Sequence, residues 1–160
     1  MMYYTYYNSE ICQLILVGDE NGLSHIHMNT DERKRTFEIL DEWIEDVDFF
    51  ADTIKQLESY ISGERREFDI VLNPSGTAFQ KQVWDKLITI PYGEVRSYKE
   101  IAIMIGNEKA SRAVGMANGK NPIPIIIPCH RVIGSNGGLT GYAFGLAIKE
   151  KLLGLEKMAH

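Results

Sequence analysis

The sequence predicts an α+β fold in two parts: a small antiparallel sheet with a helix over residues 1–75, then a mostly helical unit over 76–160 that holds a helix-turn-helix. Three observations predict it. Strand-like apolar runs crowd the stretch from Tyr3 to Met28, helical spacing takes over from Arg35 onward, and charge changes sign across Asn73-Pro74-Ser75-Gly76, the best linker in the chain.

Taken in order, the runs from Tyr3 to Met28 are rich in Tyr, Ile, Val and Leu and are broken by the turn Asp19-Glu20-Asn21-Gly22. Between Arg35 and Ser62 the residues Ile39, Leu40, Trp43, Ile44, Val47, Phe50, Ile54 and Leu57 predict one amphipathic helix, ended by Gly63. A last strand, Phe68 to Leu72, leads into the linker. Beyond it Phe79, Val83, Trp84 and Leu87 form a helical stripe that stops at Ile90-Pro91-Tyr92-Gly93. Ser97 caps a second helix, with Glu100 at capping-box spacing, and a break at Gly106-Asn107 precedes a third from about Ala110. That third helix, Ala110-Ser111-Arg112-Ala113-Val114-Gly115-Met116-Ala117, is nearly all small residues around one arginine. An interior Gly costs a helix about 1 kcal/mol relative to Ala. Close approach to a nucleic-acid groove explains the composition, and so does tight helix packing.

Composition bounds the function. The 160 residues are 44% apolar and 24% charged, enough for a packed core. No secretory start and no membrane-length apolar run is present, so a cytoplasmic location without membrane association is expected. Net charge is −5, which alone speaks against nucleic acid, but residues 1–75 hold 6 basic and 16 acidic residues against 11 and 6 in the remainder. The second part is the anion-seeking one. Cys12 and Cys129 are too few for a disulfide framework or a cysteine-rich metal site.

The segment Asn121-Pro122-Ile123-Pro124-Ile125-Ile126-Ile127-Pro128-Cys129-His130-Arg131-Val132-Ile133 is the most informative. Its prolines bar helix, and its apolar run predicts a buried extended strand that delivers Cys129 from the interior. A thiol attacks as thiolate, and burial opposes that form, so Cys129 needs a basic partner. His130 is the candidate. Neighbours in an extended chain face opposite sides, so a water or a local turn must link the two. Read without further context, the pair is also compatible with a structural cysteine.

Pro128-Cys129-His130-Arg131-Val132-Ile133, preceded by Asn121-Pro122 and Ser111-Arg112-Ala113-Val114-Gly115, resembles the signature of the O6-alkylguanine-DNA alkyltransferases, the methylated-DNA–protein-cysteine methyltransferases. Thr77 to Trp84, Ile90-Pro91-Tyr92-Gly93, Ser97-Tyr98 and Gly145-Leu146-Ala147 to Glu156 follow the same family in order and spacing. The resemblance is strong from Gly76 to Glu156. It implies an RNase H-like N-terminal part and a winged helix-turn-helix-like C-terminal part.

It also implies roles. Cys129 would take the alkyl group of O6-alkylguanine, and of O4-alkylthymine, in double-stranded DNA, becoming a thioether once and for all. His130 would accept the thiol proton through water and Glu156 would orient the imidazole. Helical-wheel position favours Glu156 over Glu150, since Glu156 falls between Leu152 and Leu153 on the inner face. Tyr98 would donate a hydrogen bond and a proton to the departing base, and Asn121 would tie the segment leading to Cys129. Arg112 would replace the flipped nucleotide, with Ser111, Ala113 and Tyr98 also at the DNA. Val132, Tyr142, Ala143 and Phe144 would line the pocket, Phe144 standing where relatives often carry glycine and so narrowing the space for bulky alkyl groups.

Some relatives hold zinc through N-terminal cysteines and histidines. Here only Cys12, His25 and His27 are available, and neither a metal nor another cofactor is expected. A monomer is expected. Two rival functions share the same residues: a helix-turn-helix module that binds or senses alkylated DNA with Cys129 inert, and a Cys-His thiol hydrolase that ignores DNA.

Overall fold

The computed structural model describes residues 1–30, 37–135, 137, 142 and 144–158. Its first half is a four-stranded sheet in the order β3-β2-β1-β4, formed by β1 (Tyr3–Asn8), β2 (Gln13–Asp19), β3 (Gly22–Asn29) and β4 (Ile44–Glu45). The first three strands form the expected antiparallel meander. Its β2–β3 turn is the expected one, with Asp19 Oδ1 accepting from Asn21 N at 2.8 Å and Gly22 at φ +133°, a conformation that favours glycine. Strand β2 reads Leu14-Ile15-Leu16-Val17, all buried, because it is central and covered on both faces.

Two expectations for this half need correction. The helix expected from Arg35 to Ser62 is confined to α1 (Ala51–Ile61), preceded by β4 and a short 3-10 turn at Asp48–Phe50; residues 31–36 lie outside the described part. Beyond β2, strand β1 would be an edge, and the 44–46 segment pairs with it, Ile44 N donating to Met2 O at 3.0 Å and Asp46 N to Tyr4 O at 2.9 Å. Tyr3 stacks on Phe49 at 4.4 Å. These tertiary partners override helical spacing that was accidental. The strand expected at Phe68–Leu72 is an isolated bridge from Leu72 to Leu23. Its residues have only the β3 edge to pair with.

The second half holds α2 (Ala78–Ile88), β5 (Arg96–Ser97), α3 (Tyr98–Met104), α4 (Ser111–Gly119), β6 (Val132–Ile133) and α5 (Leu146–Met158). Thr77 and Gln80 form a capping box on α2, and Ser97 and Glu100 form the expected one on α3. Helices α3 and α4 make the helix-turn-helix, with Gly106 at φ +85° in the break. One continuous apolar cluster runs from Leu14, Leu16 and Ile26 through Leu57 and Tyr60 to Trp84, Leu87, Ile101, Val132 and Leu152, so both halves share a core.

The extended strand expected from Asn121 to Ile133 is also corrected. The chain folds back on itself: Ile126 N donates to Pro124 O at 2.9 Å, Ile127 N to Ile123 O at 2.9 Å, and Ile125 adopts φ +73°. Only Val132–Ile133 is strand, pairing in parallel with Arg96–Ser97. Prolines at 122, 124 and 128 remove the donors a ladder would need, and compact turns bury the isoleucines instead.

Candidate active site

Cys129 opens a 3-10 turn, Cys129–Arg131, that starts from Pro128. Its N–H donates to Ile127 O at 2.7 Å and its side chain is buried. The chain turns here instead of running extended, so adjacency no longer forces the two side chains to opposite sides. Burial pushes the thiol up from its ordinary range; contacts with Asn121 and Tyr142 and the charge of Lys149 pull the other way without offsetting it. The resting group is a thiol, and a base must take its proton.

The candidate base, His130, sits in a dense polar cluster. Glu156, on the buried face of α5, accepts five hydrogen bonds. Its Oε1 receives Arg131 Nε at 2.9 Å and Gly93 N at 3.1 Å. Its Oε2 receives His130 Nε2 at 2.7 Å, Arg131 Nη2 at 2.9 Å and the Tyr60 hydroxyl at 2.5 Å. Gly93 reaches this position in a left-handed conformation, φ +81°, at the end of the Pro91 turn. Burial opposes the carboxylate, but the hydrogen bonds from His130 and Arg131 outweigh it and hold Glu156 well below the usual carboxylate range. The bidentate Arg131 guanidinium, also donating to Ile90 O at 2.8 Å, balances its charge.

The tautomer of His130 follows. An ionised Glu156 only accepts, so Nε2 carries the imidazole proton and Nδ1 is a bare acceptor. Nδ1 is buried with no hydrogen-bond partner among the described residues. Burial holds the imidazole below its ordinary value of 6.5, with Glu156 pulling it up and Arg131 and Lys149 pushing it down, so it is neutral at pH 7. Tyr142 packs its hydroxyl against the thiol, and Asn118 Nδ2 donates to Cys129 O at 3.3 Å while its Oδ1 has no hydrogen-bond partner among the described residues.

The other expected residues fall as follows. Asn121 ties the turn, with Nδ2 donating to Ile127 O at 2.8 Å and Oδ1 accepting from Ile123 N at 3.0 Å. Tyr98 begins α3, and its ring faces α4 at Gly115, where an added Cβ would stand 3.8 Å from it. Arg112 and Ala113 lie on the exposed face of α4 and Ser111 is half-buried at its start. Val132 is buried in β6, and Tyr142 is buried against the thiol. Phe144 is buried with its ring on Tyr142 at 6.0 Å and on His27 of β3 at 5.9 Å, lining a cavity of about 260 Å³ with His25, His27 and Phe37. Ala143 lies outside the described residues. His25 and His27 sit on β3 opposite Val17 and Ile15, and Cys12 just precedes β2. To four contributors the sequence alone assigns no role: Tyr60, Arg131, Asn118 and Lys149, whose buried Nζ donates to Val132 O at 2.6 Å. Arg131 lies in the motif itself. Lys149 occupies an apolar face beside Ile148 and Leu152, an oddity that a helical wheel exposes.

A buried thiol, an imidazole whose Nδ1 has no hydrogen-bond partner among the described residues and a carboxylate on its other nitrogen have the chemistry a nucleophilic cysteine centre needs, and they stand beside a helix-turn-helix. Residues 78–158 match the family described as the DNA binding domain of 6-O-methylguanine DNA methyltransferase, and residues 2–74 match its ribonuclease-like domain. The methylated-DNA–protein-cysteine methyltransferase of Methanosarcina acetivorans is 56% identical over 155 residues, covering 97% of this chain and 98% of that protein. The crystal structure of the Mycobacterium tuberculosis O6-methylguanine methyltransferase superposes with a TM-score of 0.91 at 47% identity, covering 100% of this chain and 95% of that one. The same enzyme in complex with DNA gives a TM-score of 0.89 over 98% and 94% of the two chains. The chain belongs to the 6-O-methylguanine DNA methyltransferase family.

Proposed function

We propose that this protein repairs DNA by moving the alkyl group of O6-alkylguanine, and of O4-alkylthymine, directly and irreversibly onto Cys129. The observation that carries this is the unpartnered Nδ1 of a neutral, fully buried His130 whose other nitrogen is fixed on Glu156. A water between Cys129 Sγ and His130 Nδ1 takes the thiol proton and passes one to the imidazole. The sulfur lone pair forms the S–C bond as the C–O6 bond breaks, and its electrons pass to the purine. Tyr98 supplies a proton to the departing guanine and recovers one from the imidazolium through solvent. The product is a thioether, so each molecule acts once.

The target must leave the stack to meet a buried thiol. Arg112, exposed on α4, takes its place in the duplex, while Ser111, Ala113 and Tyr98 border the entry. Asn121 holds the 121–127 turn in register, and Val132 and Tyr142 wall the base pocket. Phe144 supports Tyr142 from behind. Residues 1–75 act as a scaffold and residues 76–160 as the DNA-binding, alkyl-accepting unit. The protein works as a cytoplasmic monomer; among the described residues no helix is long and apolar enough to cross a membrane.

The test is intact-mass measurement after mixing with an O6-methylguanine duplex. One methyl should add in a single stoichiometric burst, on Cys129, and Cys129→Ala should abolish it. Cys12 should stay unmodified, since burial pushes its thiol up to about 11 despite Lys151 nearby. Turnover beyond one equivalent indicates a hydrolase. Binding of alkylated DNA with no mass change indicates a sensing module.

A further inference from the structure

The cluster behind Cys129 includes one group from the other half of the chain. Tyr60, in the last turn of α1, is completely buried, and its hydroxyl reaches the Glu156 oxygen that also holds His130: 2.5 Å from Tyr60 and 2.7 Å from His130 Nε2, both to Oε2. Its ring is fixed by Phe68 at 5.3 Å and Tyr92 at 6.1 Å. A structural tyrosine could have bonded a backbone carbonyl. This one divides the charge of the carboxylate that governs the base.

We propose that Tyr60 is a positioning residue for alkyl transfer, its hydroxyl tuning the basicity of His130 Nδ1 by sharing Oε2 of Glu156 with the imidazole. This rests on the function proposed above. Each donor to Oε2 draws off negative charge that would otherwise stabilise an imidazolium. The ionisable and charged groups facing His130 and Glu156 are Tyr60 from α1, Tyr92 from the turn after α2, Cys129 and Arg131 from the 3-10 turn, and Lys149 from α5. Tyr60 remains a phenol, because burial and Glu156 raise it far above its ordinary range. Removing the Tyr60 donor therefore leaves more charge for His130, and Nδ1 becomes more basic. The acidic half thereby contributes to the reactivity of a thiol on the basic half.

The experiment uses the full chain. Single-turnover methyl transfer from an O6-methylguanine duplex is followed from pH 5 to 8.5, and His130 is titrated by ¹⁵N NMR in the unreacted protein. In Tyr60→Phe, which keeps the ring, the acid limb of the rate profile and the His130 titration should both move up by about half a pH unit or more. Replacing Tyr60 by 3-fluorotyrosine, a more acidic and stronger donor of nearly the same shape, should move both down. Phe68→Ala, which loosens the same ring without touching the hydroxyl, should lower stability and leave the limb in place. Unshifted titrations in both Tyr60 variants, or a rate loss equal at every pH, would overturn the proposal. The NMR titration needs no alkyl transfer, so failure of the proposed activity is read separately from failure of this inference.

Discussion

At the scale of single residues the decisive feature is the concentration of donors on Glu156. Glu156→Gln removes the charge and leaves Arg131 a buried guanidinium with no anionic partner. Breaking one side of a buried ion pair typically costs ~3–5 kcal/mol. Urea unfolding at pH 7 should show a loss of that order, and single-turnover methyl transfer should slow by about a hundredfold or more as the His130 tautomer is released. The pH dependence carries a sign. Burial lowers His130 from 6.5, and its hydrogen bonds carry Glu156 below 4.5, so each contributes stability that is present above its ordinary value and lost as pH falls beneath it. Cys129 is raised from 9.0, and its contribution is lost as pH rises past that value. The unfolding midpoint should be flat near pH 7 to 8, decline below about 6.5 and again below about 4.5; in Glu156→Gln the second decline should vanish, and its persistence would mean another carboxylate controls acid stability. Cys129, His130 and Glu156 were legible as candidates in the sequence because a short motif, the family resemblance and a helical wheel point to them. Tyr60 was not, since it lies 96 positions from Glu156 and only the shared core brings it there. Phe144 shows the other limit: the resemblance implies a place in the pocket wall, and its ring lies against both Tyr142 and His27 of a distant strand, a contact no local pattern signals.

Among elements, α5 carries Glu156 and Lys149, and its rigidity sets how well the carboxylate is aimed. Gly154 sits inside this helix, and an added Cβ there would meet nothing within 4 Å. Gly154→Ala should therefore stabilise the protein by about 0.5–1 kcal/mol through helix propensity, with alkyl transfer unchanged. A lower melting temperature in calorimetry would show that the glycine serves a contact that the open space does not suggest. The elements legible in advance share one property: local signals agree with the final state. The β2–β3 turn and the Ser97–Glu100 capping box carry their own hydrogen-bond partners within a few residues. The 44–50 segment and the 121–128 turns do not. The first takes its form from the open edge of β1, and the second from prolines that forbid a ladder while the isoleucines still require burial.

For the whole molecule, opposite charge and an intervening Pro-Gly stretch suggest two units that could unfold apart, but the packing argues for one cooperative body. Tyr60 bonds Glu156, Ile26 N donates to Pro122 O at 2.9 Å, and Thr30 Oγ1 donates to Phe144 O at 3.0 Å, each joining the acidic half to the basic half. The apolar cluster passes through the same junction without a gap. Pulling the halves apart would expose Tyr60 and leave Glu156 short of a donor, so neither half keeps its full stability alone. The two tryptophans report this from opposite sides. Trp43 stands in the first half near Tyr4, ring centroids 6.5 Å apart, and Trp84 is buried in α2 with Nε1 donating to Ala117 O at 2.9 Å. In single-tryptophan proteins, Trp43→Phe and Trp84→Phe, the urea transition followed by fluorescence should coincide with that followed by far-ultraviolet circular dichroism of the same protein, although the two variants differ in midpoint because Trp84→Phe loses a buried hydrogen bond. If Trp43 emission changed well before the backbone signal, the acidic half would open on its own, and the coupling between Tyr60 and the reactive centre would be transient rather than built into the native state.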